Sequence, residues 1–251
     1  VPVFFMISSV SLMNYQKKYD TKTYLKKRFA KTVVPFLFWT FIGLLFDIFF
    51  LHTVKVSDLT LKVLIDGFIN THFVQIYWFF IPLFGIYLSI PLFASIEEGK
   101  RIELFKYLFI SGFIFNATIP FLTSAFHINI AFPLSVNVVC GYAIFIVMGY
   151  LLHKMDFTTV QRCYIYILGI VCLLMHFCGT YYESYASGDV SHIYKNLTQA
   201  PILMYSGAVF LLIKQIRSKV IHHTISKYGK FMKKYKFSIY LINYFLIEIL
   251  N

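Results

Sequence analysis

Charged side chains are scarce in this sequence: they make up 14% of its 251 residues, against 59% hydrophobic and 20% aromatic. A soluble domain carries about 25% charged and roughly 45–50% apolar residues, so the deficit excludes one. Paired cysteines are missing as well. Cys140, Cys163, Cys172 and Cys178 stand in or beside apolar stretches without the spacing of a zinc site, so no metal is expected and they read as small buried hydrophobes. The alternation of apolar and polar residues that marks a membrane-spanning barrel is absent. So is an internal repeat of the kind transporters carry. No charged segment precedes the first apolar stretch, so that stretch does not read as a signal peptide.

What is present is a series of apolar blocks: Val1 to Met13, Thr32 to Leu51, Val74 to Phe93, Leu104 to Leu122, Leu134 to Leu152, Val160 to Cys178, Leu197 to Ile213 and Phe237 to Leu250. A helix needs about 20 residues to cross roughly 30 Å of hydrocarbon, and in hydrocarbon every backbone polar group must be bonded within its own segment. The blocks therefore predict an all-α protein: one polytopic transmembrane helix bundle over residues 1–251 with about eight spans. The first and last blocks are short for a span and read as cut.

Positive charge predicts the orientation, because short cytoplasmic loops retain Lys and Arg. Of the 23 basic residues, only Lys55, Lys62 and Lys195 fall in the second, fourth and sixth connections; all the others fall in the first, third, fifth and seventh. This segregation places both termini on the extracytoplasmic side. The net charge of +12 is then accounted for by cytoplasmic loops facing anionic membrane lipids, and no nucleic-acid partner is implied. Abundant Phe, Tyr, Ile and Lys suggest an AT-rich genome and, with it, a bacterial plasma membrane.

Ionisable residues inside spans are costly and point to function. Asp47, His176 and Glu248 each sit near the outer end of a span. They either reach interfacial water or line an outward-facing cleft that binds or deprotonates a polar substrate such as a sugar. At the opposite surface, Arg28 and Lys31 are spaced to share a helical face. They either snorkel to lipid phosphates or hold the phosphates of a nucleotide-like donor. His222, His223, Glu97 and Glu98 fall in charged loops and read as solvated.

Several segments, taken in order, resemble the membrane acyltransferase family that includes bacterial sugar and peptidoglycan O-acetyltransferases. Val1 to Ser8 is similar to the family's second helix. Arg28-Phe29-Ala30-Lys31, followed by Pro35-Phe36-Leu37-Phe38-Trp39, resembles its R-x-x-R motif and the start of the next helix. Trp78-Phe79-Phe80 with Tyr87 and Pro91, Gly141-Tyr142 through Gly149-Tyr150-Leu151, Ala200-Pro201-Ile202 and Ser238 to Asn243 extend the likeness. Ser9, Lys31 and Asn243 stand where the family usually has Gly, a second Arg and His.

The resemblance implies transfer of an acyl group, usually acetyl, from a cytoplasmic coenzyme A thioester to a carbohydrate hydroxyl. Acetyl-CoA or another acyl-CoA would be the donor, a cell-surface or lipid-linked glycan the acceptor, and Arg28 with Lys31 the donor-binding residues. The family's presumed catalytic His belongs to a helix that would precede Val1, so the expectation is that the catalytic residue is not among these 251 and that the chain alone is inactive. His176, Asp47 and Glu248 are the substitutes it contains. The rival readings are a polysaccharide polymerase or flippase and a transporter without covalent chemistry. Against the first, the longest outer connection, Leu51 to Phe73, is modest; for the second, Pro82 and Gly85 interrupt a span, but one that already fits the family pattern.

Overall fold

A computed structural model describes residues 1–130, 135–139, 141–191, 193–216 and 240–248. Cys140, His222, His223, Asn251 and the basic residues between Arg217 and Lys236 lie outside them. Among the described residues the regular structure is all helical, with no strand. In chain order the helices are α1 (Pro2–Leu12), α2 (Thr21–Arg28), α3 (Val34–Phe46), α4 (Leu61–Ile69), α5 (Phe80–Ala94), α6 (Glu98–Gly112), α7 (Ile119–Ala125), α8 (Ala143–Lys154), α9 (Thr159–Ser187) and α10 (Ala200–Gln215). The last, α11, covers residues 240–248.

Among the described residues, five helical stretches are long and apolar enough to cross a membrane: Thr21–Leu51, Gln75–Ala94, Glu98–Ala125, Thr159–Ser187 and Ile193–Gln215. They contain the second, third, fourth, sixth and seventh apolar blocks. The fifth block differs. Its described helix, α8, has only 12 residues, and every one from Ile144 to Leu152 is buried. A helix that is apolar all round is one enclosed by protein, so this block's hydrophobicity serves packing inside the bundle. In α9, 29 residues long, only Gly169 and Cys172 are buried; its apolar surface is turned to lipid. The same contrast corrects the reading of the cysteines, since Cys172 is buried but Cys163 and Cys178 are exposed on α9. A thiol can be apolar in habit and face hydrocarbon.

Three helices open into π turns, at Phe29–Val33, Asp47–Leu51 and Phe113–Thr118. Two are followed at once by a proline near the start of the next helix, Pro35 and Pro120. A proline ring clashes with the carbonyl four residues back and supplies no N–H, and widening the preceding turn relieves both problems. The remaining π turn, Asp47–Leu51, ends on His52, whose φ of 53° stops the helix.

The chain groups into two units. The first comprises residues 1–19 and 88–216. There α8 packs on α1, α6 and α10, and α10 packs on α9. The approach of α1 to α8 requires Gly149, where a Cβ would lie 2.7 Å from the Met6 backbone. At one end, Glu98 binds Lys17 at 2.8 Å and Lys154 at 3.4 Å, while Lys214 donates to the carbonyls of His153 and Leu152 at 2.7 and 3.0 Å. These residues come from the first, third, fifth and seventh connections, the basic ones. Glu98, expected to be merely solvated, ties three of them. From the fourth and sixth connections, His127 lies 4.0 Å from Glu183.

Arg101, counted from sequence as a loop charge, is only 5% exposed. It folds back onto the end of α5, donating to Ile96 O through Nε and a terminal nitrogen at 3.2 and 2.6 Å, to Ala94 O at 3.0 Å and to Asn14 Oδ1 at 3.1 Å. A cation suits a helix C-terminus, where carbonyls lack partners. Its guanidinium also lies over the Tyr150 ring, 5.5 Å from the centroid.

The second unit comprises residues 20–87 and 217–251, of which 240–248 are described in the latter stretch. Its backbone is the rod formed by α2, the first π turn, α3 and the second π turn. Asp20 opens the rod as N-cap, accepting from the Thr23 amide at 3.3 Å; a hydrogen bond from the Thr23 side chain, with this backbone bond, holds the Asp20 carboxyl below the usual aspartate range. The rod packs through Phe36 on Tyr77, Phe80 and Phe84, and through Trp39 and Phe46 on Phe245 of α11. Tyr77 donates to Leu241 O and Tyr240 donates to Ile76 O. These two reciprocal bonds join α11 to the turn before α5.

Candidate functional site

The rod of the second unit turns one face inward, and that face is polar at intervals. Tyr24, Thr32, Phe36, Thr40, Gly43, Leu44 and Asp47 are buried along it, with Arg28 half-buried between the first two. Steps of three and four residues keep these positions on one side of a helix. From Arg28 to Asp47 the face runs roughly 28 Å at about 1.5 Å per residue, close to the roughly 30 Å of a bilayer's hydrocarbon.

At one end Arg28 closes α2. Its guanidinium lies over two rings, 5.8 Å from the Tyr24 centroid and 5.7 Å from that of Tyr87, and it hydrogen-bonds the Tyr87 side chain. The Tyr24 hydroxyl donates to Tyr87 O at 3.1 Å, which holds the two rings as a cradle. Arg28 Nε is nevertheless buried with no hydrogen-bond partner. A buried charged donor left unused is costly, and it is the donor a phosphate would satisfy. Lys31 has a different setting. It lies in the π turn, which carries more residues per turn than an α-helix, and so does not stack above Arg28 as α spacing would have it; it is exposed. Thr32 spends its hydroxyl on Arg28 O at 2.6 Å.

At the other end Asp47 is 6% exposed and opens the second π turn. The Tyr244 hydroxyl donates to Asp47 Oδ1 at 2.9 Å. Glu248, one turn beyond Tyr244 on α11, is near enough to act on the Asp47 charge. Two of the three acidic or basic span residues expected from sequence are thus brought together. Midway, Thr40 is 1% exposed and its hydroxyl has no partner.

The third residue, His176, belongs to the first unit. It sits half-buried on α9 against Tyr205 of α10, ring centroids 5.9 Å apart and edge to face. Its Nδ1 and the Thr180 hydroxyl one turn along are both buried without partners. Among the described residues no group of three or more His, Cys, Asp or Glu could hold a metal ion.

As site residues, sequence reading missed Tyr24, Tyr87 (read only as part of a family-like segment), Thr40 and Tyr244. The first and third carried a signal: Tyr24, Arg28, Thr32 and Thr40 recur at multiples of four on a helix that is otherwise apolar. Tyr244 and Glu248 repeat that spacing, but only folding sets them beside Asp47.

A family model described as an acyltransferase domain matches residues 1–251, the whole chain. No curated protein and no solved structure gives a match.

Proposed function

Since the chain belongs to the membrane acyltransferase family, we propose that it is an O-acyltransferase that moves an acyl group, acetyl in the simplest case, from a cytoplasmic acyl-CoA to a carbohydrate hydroxyl. The acceptor would be a cell-surface polysaccharide or a lipid-linked glycan, and the setting a bacterial plasma membrane with the basic connections on the cytoplasmic side. The observation that carries this reading is the inward face of the rod, which has a cation with an open donor at one end and a pair of carboxylates at the other.

Arg28 would hold a phosphate of the donor. Its planar guanidinium is always charged and can present parallel donors, and the Tyr24–Tyr87 cradle fixes the plane before the donor arrives, so less ordering is left to do on binding. Lys31, exposed nearby, adds charge without a fixed geometry. Asp47 and Glu248 would accept hydrogen bonds from acceptor hydroxyls. In the transfer, the acceptor oxygen bonds to the thioester carbonyl carbon, the carbon–sulfur bond breaks, and the hydroxyl proton needs a base. Asp47, one of the substitutes this chain contains for the family's His, would take that proton, with the Tyr244 hydroxyl that donates to Oδ1 holding the carboxylate and leaving Oδ2 for the substrate.

The test is binding of acetyl-CoA and acetyl transfer to a glycan by Arg28→Ala in native membranes. Donor affinity should fall about tenfold or more, the usual effect of losing charge-assisted hydrogen bonds, while acceptor binding stays constant. Unchanged donor affinity in a normally inserted protein would return Arg28 to a packing role.

A further inference from the structure

The first unit holds a cavity of about 280 Å³ among α6, α8, α9 and α10, outside the elements of the proposed transfer site. Phe109, Met148, Leu152, Met204 and Gly207 are among the residues that line it, and the lining is almost wholly apolar. Lys106 contributes its aliphatic stem to the wall and is itself exposed, so its ammonium is at the mouth, in the manner of lysines that snorkel. Met155 and Phe157 also line the cavity, directly after Lys154, the partner of Glu98 at 3.4 Å. The mouth therefore opens at the unit's cationic end.

A second cation borders it. Arg162 donates through Nε to the carbonyl of Phe157 at 2.9 Å, which leaves its terminal nitrogens available. Neither Lys106 nor Arg162 forms an ion pair among the described residues. Asp156, between two lining residues, is exposed and outside the lining. Methionines at three lining positions give a wall that adapts to a flexible chain.

We infer that this cavity binds one acyl chain of an anionic glycerophospholipid from the surrounding bilayer, with the lipid phosphate held by Lys106 and Arg162. The cavity has the polarity of that ligand: cations where the headgroup region would be and an apolar floor beyond. An apolar cavity of this size is poorly filled by water, which needs two to four polar partners. An acetyl group would leave most of it empty, and the phosphates of a nucleotide-like donor are separated from its acyl end by a long arm. The inference does not rest on acyl transfer.

The experiment is photolabelling of the purified full chain in vesicles, using phosphatidylglycerol or phosphatidylcholine with a diazirine in the acyl chain, followed by peptide mapping. The expected result is labelling of Met148 to Met155 by phosphatidylglycerol, about fivefold above phosphatidylcholine, the preference one basic residue near an anionic surface confers. Lys106→Arg should keep the preference and Lys106→Glu should remove it, while Ile165→Trp, filling the cavity from its wall, should block both lipids. Equal labelling of the wild-type chain by the two lipids would overturn the inference without any variant. So would a preference that survives Lys106→Glu, or labelling displaced by acetyl-CoA irrespective of headgroup.

Discussion

Arg101 in the first unit and Arg28 in the second are both drawn into apolar surroundings and both lie against tyrosine rings, yet their donors fare differently. Arg101 is 5% exposed and shares four hydrogen bonds among Asn14, Ala94 and Ile96, each accepting through an oxygen that would otherwise lack that donor. Arg28 keeps a buried Nε with no partner. The first is a finished structural joint, and the second is, on the proposed reading, a site held for the donor. Polarity alone does not identify function in a membrane bundle; what separates the two arginines is whether the protein itself satisfies the group.

The comparison extends to whole units and predicts opposite mutational behaviour. The largest effect should come from Asp47→Asn, whose amide oxygen can still accept from Tyr244 but which no longer takes a proton. Acetyl transfer should drop roughly 10²- to 10⁴-fold, the usual loss of a general base, with little change in thermal unfolding in detergent. If rate and stability fell together, Asp47 would be a structural group, as Arg101 is. Next is Arg101→Ala, which strands buried carbonyls and should cost roughly 3 kcal/mol of stability, read as a lowered melting midpoint with acetyl-CoA affinity preserved in the folded fraction. Tyr244→Phe removes one hydrogen bond to Asp47 and should slow transfer by about tenfold, as losing a bond to a charged group does. The smallest effect belongs to Thr40→Val. Its hydroxyl has no protein partner, so stability should hold or rise by about 1 kcal/mol, and only a loss of transfer would mark Thr40 as part of a working path.

Much of this fold can be read in the sequence because membrane helices announce themselves by length and hydropathy. Five of the eight apolar blocks lie inside stretches long enough to span, and the alternate connections that share basic residues meet at Glu98 and Lys214 in the first unit. Hydropathy cannot tell an enclosed helix from a lipid-facing one, so α8 and α9 look alike until packing separates them. A charge count is equally blind to Arg101, whose return to the α5 terminus is a tertiary event. Asp47, His176 and Glu248 could be named beforehand because charge in hydrocarbon is rare, and Arg28 because it stands three residues before Lys31 at the basic surface. Tyr24 and Tyr244 could not, since tyrosine is common in this chain, with 19 copies, and only contact distinguishes those that meet a charge. The π turn that separates Lys31 from Arg28 depends on how the rod accommodates Pro35, which spacing rules for an ideal helix omit.

The central claim is that Arg28 is held for a ligand and not for the fold. It is tested most directly by measuring acetyl-CoA affinity and thermal unfolding side by side on wild-type protein, Arg28→Ala and Arg28→Lys. Loss of the cation–ring contacts should cost under about 1 kcal/mol of stability, while donor affinity falls about tenfold or more in Arg28→Ala and recovers only in part in Arg28→Lys, which restores charge without the fork. A melting midpoint that collapses in Arg28→Ala while the folded fraction binds acetyl-CoA as tightly as the wild type would contradict the account.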